Sequence, residues 1–147
     1  MRLTVYADYS LRLLIYVGIQ GDRLATIPAV AESYGISRHH LVKVAHQLGV
    51  KGYITTTRGK NGGLRLARSA DRINVGEVVR VMEPDMALVP CFSPIDADCP
   101  IFPSCQLRLV LEQAREGFLR FLDGYTLADL IAPRTSLQTL LQITPAA

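Results

Sequence analysis

Residues 26–67, TIPAVAESYGISRHHLVKVAHQLGVKGYITTTRGKNGGLRLA, decide the fold. Thr26 offers an N-cap and Pro28 fits a first helical turn, where a missing N–H costs nothing, so a short helix is predicted to run to Tyr34 and break at Gly35. Ser37 caps a second helix whose buried stripe reads Leu41, Val42, Ala45 and Leu48. Arg38, His39, Lys43, His46 and Gln47 face outward, and Gly49 and Gly52 close it. Tyr53 to Thr57 is then β-branched and aromatic, Leu64 to Ala67 alternates around Arg65, and residues 58–63, RGKNGG, are turn formers. Two helices joined through a glycine turn and followed at once by a hairpin with a basic tip read as a winged helix-turn-helix, mainly α with a small β-hairpin.

Charge gives that reading a partner. Residues 38–72 hold eight of the sixteen Lys and Arg and one of the thirteen acids, so the stretch carries +7 and the rest of the chain −4. A basic block in a near-neutral chain suits a phosphate backbone, where Lys and Arg replace counterions. A solvated basic face is the plainer alternative. On the first reading, Ser37, Arg38, His39, His40 and Lys43 lie near the major groove of double-stranded DNA, and Arg58, Lys60 and Asn61 make the wing contact.

The flanks complete a first domain, residues 1–83. Val5, Tyr6, Tyr9, Leu13, Tyr16 and Val17 recur at helical intervals and predict a leading helix that ends at Gly18 and Gly21. Asn74 and Glu77 have capping-box spacing before a helix whose apolar face is Val75, Val78, Val79 and Met82. In residues 83–105 five of the chain's eight prolines appear together with all three cysteines, which predicts a loop, assigned here as a segment 84–105. Residues 106–147 follow. Leu107, Leu111, Ala114, Phe118, Phe121 and Tyr125 form an apolar seam on one long helix, suited either to self-association or to docking on its own domain. A short helix at Leu127 to Ile131 and a tail without clear signal end the chain.

A chain of 147 residues, 49% apolar and 20% charged, can bury a core. No apolar run reaches the roughly 18 residues of a membrane span, and the start MRLTVYADYS lacks a secretory signal's apolar stretch, so the expected compartment is the cytoplasm. There lasting disulfides are disfavoured, and three is an odd number of cysteines. Cys91, Cys99 and Cys105 are separated by seven and five residues, unlike the pairs of a zinc finger. Thiolates on irregular backbone suit an iron–sulfur cluster, and a cysteine starting the long helix faces its positive end. Structural zinc, a thiol–disulfide switch and unrelated buried cysteines stay open on spacing alone. Catalysis is not expected: all three His lie on the predicted recognition helix, remote in sequence from every Cys, and no phosphate loop or paired-carboxylate motif is present.

MRLTVYADYSLR at the start, YGISRHHLVKVAHQL, RGKNGGLRLA, the three loop cysteines and FLDGYTLADL together resemble the NsrR repressors, nitric-oxide sensors related to the iron–sulfur regulator IscR. The resemblance extends to about residue 131 and implies a winged-helix homodimer on an inverted-repeat operator, with one cluster per subunit. That cluster is taken as [4Fe–4S], with [2Fe–2S] the alternative, bound by Cys91, Cys99 and Cys105. By the same resemblance the fourth ligand is an acid of the partner's first helix, the position held here by Asp8; Asp96 and Asp98 in the loop compete with it. The IscR pattern has a His three residues past the last Cys, where this chain has Arg108. The expected activity is repression relieved by nitric oxide; an iron- or cluster-status regulator or a thiol-redox regulator is the alternative.

Overall fold

Helix periodicity in the leading segment is closed by a real cap: Thr4 Oγ1 accepts from the Ala7 N–H at 3.2 Å and starts α1, Val5–Gln20. The computed structural model describes residues 2–92 and 98–143. Gly18 does not end α1. It lies within the helix, where a Cβ would come 3.2 Å from Ile131 Cδ1, so it serves close packing, and Gly21 at φ 67° makes the stop.

The helix-turn-helix follows as α2, Ile27–Tyr34, and α3, Arg38–Val50, joined through Gly35 in the left-handed conformation. Thr26 caps α2. Ser37 occupies the N-cap position of α3 but makes no side-chain cap bond there. The buried stripe of α3 is Leu41, Val44, Ala45 and Leu48; Val42, expected inside, is 55% exposed. The observed set keeps the i, i+3, i+4, i+7 phase of one helical face, which Val42 breaks.

Strands β1, Ile54–Thr57, and β2, Gly63–Leu66, pair antiparallel with Ile54 opposite Leu66 and Thr57 opposite Gly63. The wing is tied to the domain by reciprocal Ala25–Leu64 backbone bonds of 2.9 and 2.7 Å. Gly63 is required for that approach, since a Cβ would run into the Ala25 carbonyl. Buried Tyr53, just before β1, donates its hydroxyl to Glu77 Oε1 at 3.0 Å while Arg68 covers its ring. Burial pushes the Tyr53 phenol up to about 12, and the Glu77 contact adds to it.

Glu77 belongs to α4, Val75–Met82, whose Val75, Val78, Val79 and Met82 are all buried as expected. Only one arm of the predicted capping box forms: Asn74 Oδ1 accepts from the Glu77 N–H at 2.9 Å, and the Glu77 carboxylate turns to Tyr53. Leu13, Leu14, Ile19, Val30, Leu41 and Leu48 are fully buried where these elements meet. Each such side chain contributes roughly 1.5–3 kcal/mol relative to exposure.

After residues 84–105, α5 runs Gln106–Asp123 and returns to α4. Asn74 Nδ2 donates to the Asp123 carbonyl at 2.7 Å, and Arg80 forks onto the Asp123 carboxylate at 2.5 and 2.7 Å. That fork holds the Asp123 carboxyl below the usual carboxylate range. Gly76 allows the approach, because a Cβ there would run into the same carboxylate.

Thr126 and Asp129 form a reciprocal capping box on α6, Leu127–Leu130. The tail then makes a further helix, α7, Arg134–Leu140, docked on the first domain. Arg134 Nε and Gln138 Nε2 donate to the Ile19 carbonyl at 3.1 and 3.0 Å, and Leu141 and Ile143 enter the core. The last carbonyls of α1 lack intrahelical partners, so α7 supplies what that helix end needs.

Candidate nucleic-acid interface and cysteine loop

Ser37, Arg38, His39, His40 and Lys43 are all exposed on the N-cap and opening turns of α3, and Arg58, Lys60 and Asn61 are exposed at the wing tip. Gly59 turns the tip at φ 106°, and the Gly62 N–H donates to the Gly59 carbonyl at 2.9 Å. The face thus presents cations on two elements held by one core, a layout that fits a groove and the backbone beside it. Sequence periodicity gave no sign of what braces α3 from behind: Tyr6 donates its hydroxyl to the Lys43 carbonyl at 3.1 Å, and the Tyr9 ring lies 6.2 Å from that of His40.

Tyr6 and Tyr9 bracket Asp8 on α1. Asp8 Oδ1 accepts from Arg12 Nε at 2.9 Å, and the Arg12 guanidinium also lies over the Tyr34 ring. The Asp8 carboxylate is partly exposed in a cleft that Tyr34 and Ile36 also line.

All three cysteines are free thiols. Cys91 sits in a single 3-10 turn, Pro90–Phe92, held by a 3.1 Å bond from the Phe92 N–H to the Val89 carbonyl. Cys99 is exposed, and its carbonyl accepts from the Phe102 N–H at 2.9 Å, opening a second such turn, Phe102–Ser104. Cys105 is the N-cap of α5, with Sγ accepting from the Arg108 N–H at 3.4 Å. Asp98 is exposed beside Cys99, and Asp96 lies outside the described residues.

Among the described residues no three His, Cys, Asp or Glu side chains stand close enough to hold a metal ion. The fit to an iron–sulfur cluster therefore rests on donor chemistry. Three soft thiols lie on irregular backbone, and one of them already receives an N–H at the positive end of a helix.

The loop starts from a fixed point that sequence reasoning missed. Glu83, nine-tenths buried, ends α4 and accepts from Thr4 N–H at 2.6 Å and Thr4 Oγ1 at 3.2 Å, tying the start of α1 to the start of the cysteine segment. An acid following an apolar helix reads in sequence as a solvated residue, so only its partner reveals the role.

The long helix does not bury the expected seam as one unit. Leu111 and Phe118 are partly covered, whereas Leu107 and Phe121 are 62% and 67% exposed, and Tyr125 falls beyond the helix end. The outward apolar stripe runs Leu107, Val110, Ala114 and Phe121, and Leu119 on the other side is the residue of α5 that is buried. Among the described residues no helix is long and apolar enough to cross a membrane.

The chain is 46% identical to the transcriptional regulator NsrR of Geobacillus kaustophilus over 143 residues, 97% of each chain. It is 45% identical to NsrR of Halalkalibacterium halodurans over 146 residues, 99% of this chain and 100% of that one. Among solved structures it superposes on T. potens IscR with a TM-score of 0.73 at 23% identity, covering 94% of this chain and 91% of that one. The cysteine regulator CymR of B. subtilis gives 0.72 at 23% identity, covering 90% and 97%. Residues 3–133 match the family model described as Rrf2, iron-dependent transcriptional regulator, and the protein belongs to this Rrf2 family of winged-helix transcriptional regulators.

Proposed function

We propose that the protein is a homodimeric repressor that binds an inverted-repeat operator through α3 and the wing and releases it when nitric oxide reacts with an iron–sulfur cluster. Cys91, Cys99 and Cys105 would hold the cluster, taken as [4Fe–4S], with Asp8 of the partner subunit as the fourth ligand. In this division residues 1–83 bind DNA, 84–105 hold the cofactor and 106–147 pair the subunits through α5, while α6 and α7 return to the first domain. The observation that carries the reading is the position of Cys105: one thiol is the cap of the helix whose outer apolar stripe stays uncovered among the described residues. The curated relatives named NsrR point the same way.

When bound, the cluster supplies iron that a diatomic radical can attack. The chain's residues do the rest. Cys105 couples the loop to α5, and Asp8 lies between Tyr6 and Tyr9, which touch α3. Freeing these ligands lets α5 and α1 shift, and the spacing of two recognition helices changes. Paired helices must meet successive grooves about 34 Å apart, so a small rotation weakens both half-sites together.

The test is anaerobic. The purified protein is expected to show iron–sulfur absorption bands with matching iron and sulfide counts, and stepwise nitric oxide to abolish both the bands and the operator gel shift. Unchanged DNA binding after nitrosylation sinks the mechanism. A colourless protein that cannot be reconstituted removes the cofactor. Release by chelation alone, with no response to nitric oxide, makes it an iron-status regulator.

A further inference from the structure

Among its described residues the cysteine segment has no buried apolar side chain of its own, yet two of its rings are held down. The Arg108 guanidinium carbon lies 4.9 Å from the centre of the Phe102 ring, and that of Arg115 lies 5.2 Å from the centre of Phe92. The two arginines are seven residues apart on α5, two turns along one face, so the loop is laid along that face at two points. Each guanidinium is also paired with a carboxylate, Arg108 with Glu112 and Arg115 with Glu116, both at 3.1 Å. The Nε–H of both is shielded and has no acceptor among the described residues, as it is for Arg68 over Tyr53, so at each site the ring is a principal neighbour of the guanidinium.

Each ring is joined to a thiol by backbone. Phe92 follows Cys91 directly in the same turn. Phe102 donates its N–H to the Cys99 carbonyl at 2.9 Å and accepts from the Cys105 N–H at 3.5 Å, so one ring positions two cysteines.

We propose that Arg108 and Arg115 are positioning residues that strap the cysteine loop to α5 through Phe102 and Phe92 and so preset where Cys91, Cys99 and Cys105 stand. The strap is a property of the metal-free chain, and its effect on a cofactor rests on the function proposed above. A flat guanidinium on a ring resists sliding in a way that a lysine ammonium does not, so Lys substitution keeps the charge and loses part of the hold.

The experiment uses the full-length protein, reduced and stripped of metal, pulsed anaerobically with iodoacetamide and read site by site by mass spectrometry. Arg115→Leu is expected to raise the alkylation rate at Cys91 about fivefold, the share of a partly buried cation–π contact, while Cys105 stays near its original rate. Phe92→Leu gives the same increase, and the double variant adds nothing further. Arg108→Leu raises the rate at Cys105 in the same way, and Arg115→Lys falls between Leu and the original. A far-UV melt confirms that each variant keeps its fold, and the Lys variant serves where Leu does not.

Unchanged rates at Cys91 and Cys105 in all variants overturn the strap, as does an equal rise at every thiol. The second readout is the decay of iron–sulfur absorbance under a chelator after reconstitution with iron and sulfide, expected to be several-fold faster in Arg115→Leu. A starting protein that takes up no cluster defeats the proposed function instead, and the alkylation rates still decide the strap.

Discussion

In the winged helix, Leu13, Leu14, Ile19, Val30, Leu41 and Leu48 are completely buried, whereas from residue 84 to 121 Leu119 is the one buried residue among those described. The first region closes around its own apolar face. The second is held by point contacts: the Glu83–Thr4 bonds at its start, two guanidiniums on two rings along its length, and the Arg80–Asp123 fork at its end. Cooperative stability belongs to the densely packed region, and local opening is cheapest where few apolar contacts must be broken. A ligand or a second subunit therefore has most leverage on the cysteine loop and α5, while the surface of α3 and the wing keeps its shape.

The largest effect that follows is in the core. Leu41→Ala should destabilise the metal-free chain by about 2–5 kcal/mol in chemical denaturation, through lost burial and the cavity left behind. Leu107→Ala on the outer stripe should change the stability of the isolated subunit by no more than about 0.5 kcal/mol, its larger cost appearing as weaker self-association in sedimentation. Equal costs at the two sites would break the contrast.

Gly76→Ala tests the seam between the regions. The added methyl meets the Asp123 carboxylate, so the substitution should cost about 1–3 kcal/mol and loosen α5 from α4, seen as faster amide exchange in the last turns of α5. Protection unchanged from the original chain would mean that α5 is anchored elsewhere.

On the rigid side, Arg58→Ala and Lys60→Ala should leave the melting temperature in place. Each should lower the slope of log affinity against log salt by about 1, because a phosphate contact is lost without touching the core. A melting shift of several degrees would show that the wing tip contributes to the fold.

The smallest effect concerns pH. The Arg80 fork lowers the Asp123 carboxyl, and the Thr126 backbone N–H, with the Thr126 hydroxyl, lowers that of Asp129. Groups whose acidity rises on folding add stability that is fully present above the unfolded value, about 4, and is lost as pH falls through the folded value. A denaturation midpoint that declines only below that pH, and less steeply in Asp123→Asn, is the expected result. No difference between the two proteins would remove the fork from the balance.

Much of the architecture was legible before the structure because local chemistry and tertiary packing agree there. Thr26, Pro28 and Gly35 specify a helix and its stop, the alternation around Arg65 specifies a strand, and Asn74 caps α4. Val42 and Gly18 were misplaced for one reason: each depends on what lies opposite. Val42 points away from the core, which Val44 enters, and Gly18 meets Ile131 from beyond α5. Of the candidate site, the sequence already set out the three thiols, the basic block and the acid on the first helix.

The chain's own residues thus determined which segments are helix, hairpin and cysteine loop, and where its cations gather, since caps, glycines and apolar period act over a few residues. Only the tertiary structure decided that the tail folds back as α7 onto the Ile19 carbonyl, that Glu83 ties the loop to α1, that Tyr6 and Tyr9 brace α3, and that Arg108 and Arg115 lie on the rings of Phe102 and Phe92. Apart from the Arg108–Phe102 pair, those contacts join residues more than 20 positions apart, and no periodicity or local propensity encodes which distant partner satisfies a given donor or covers a given ring.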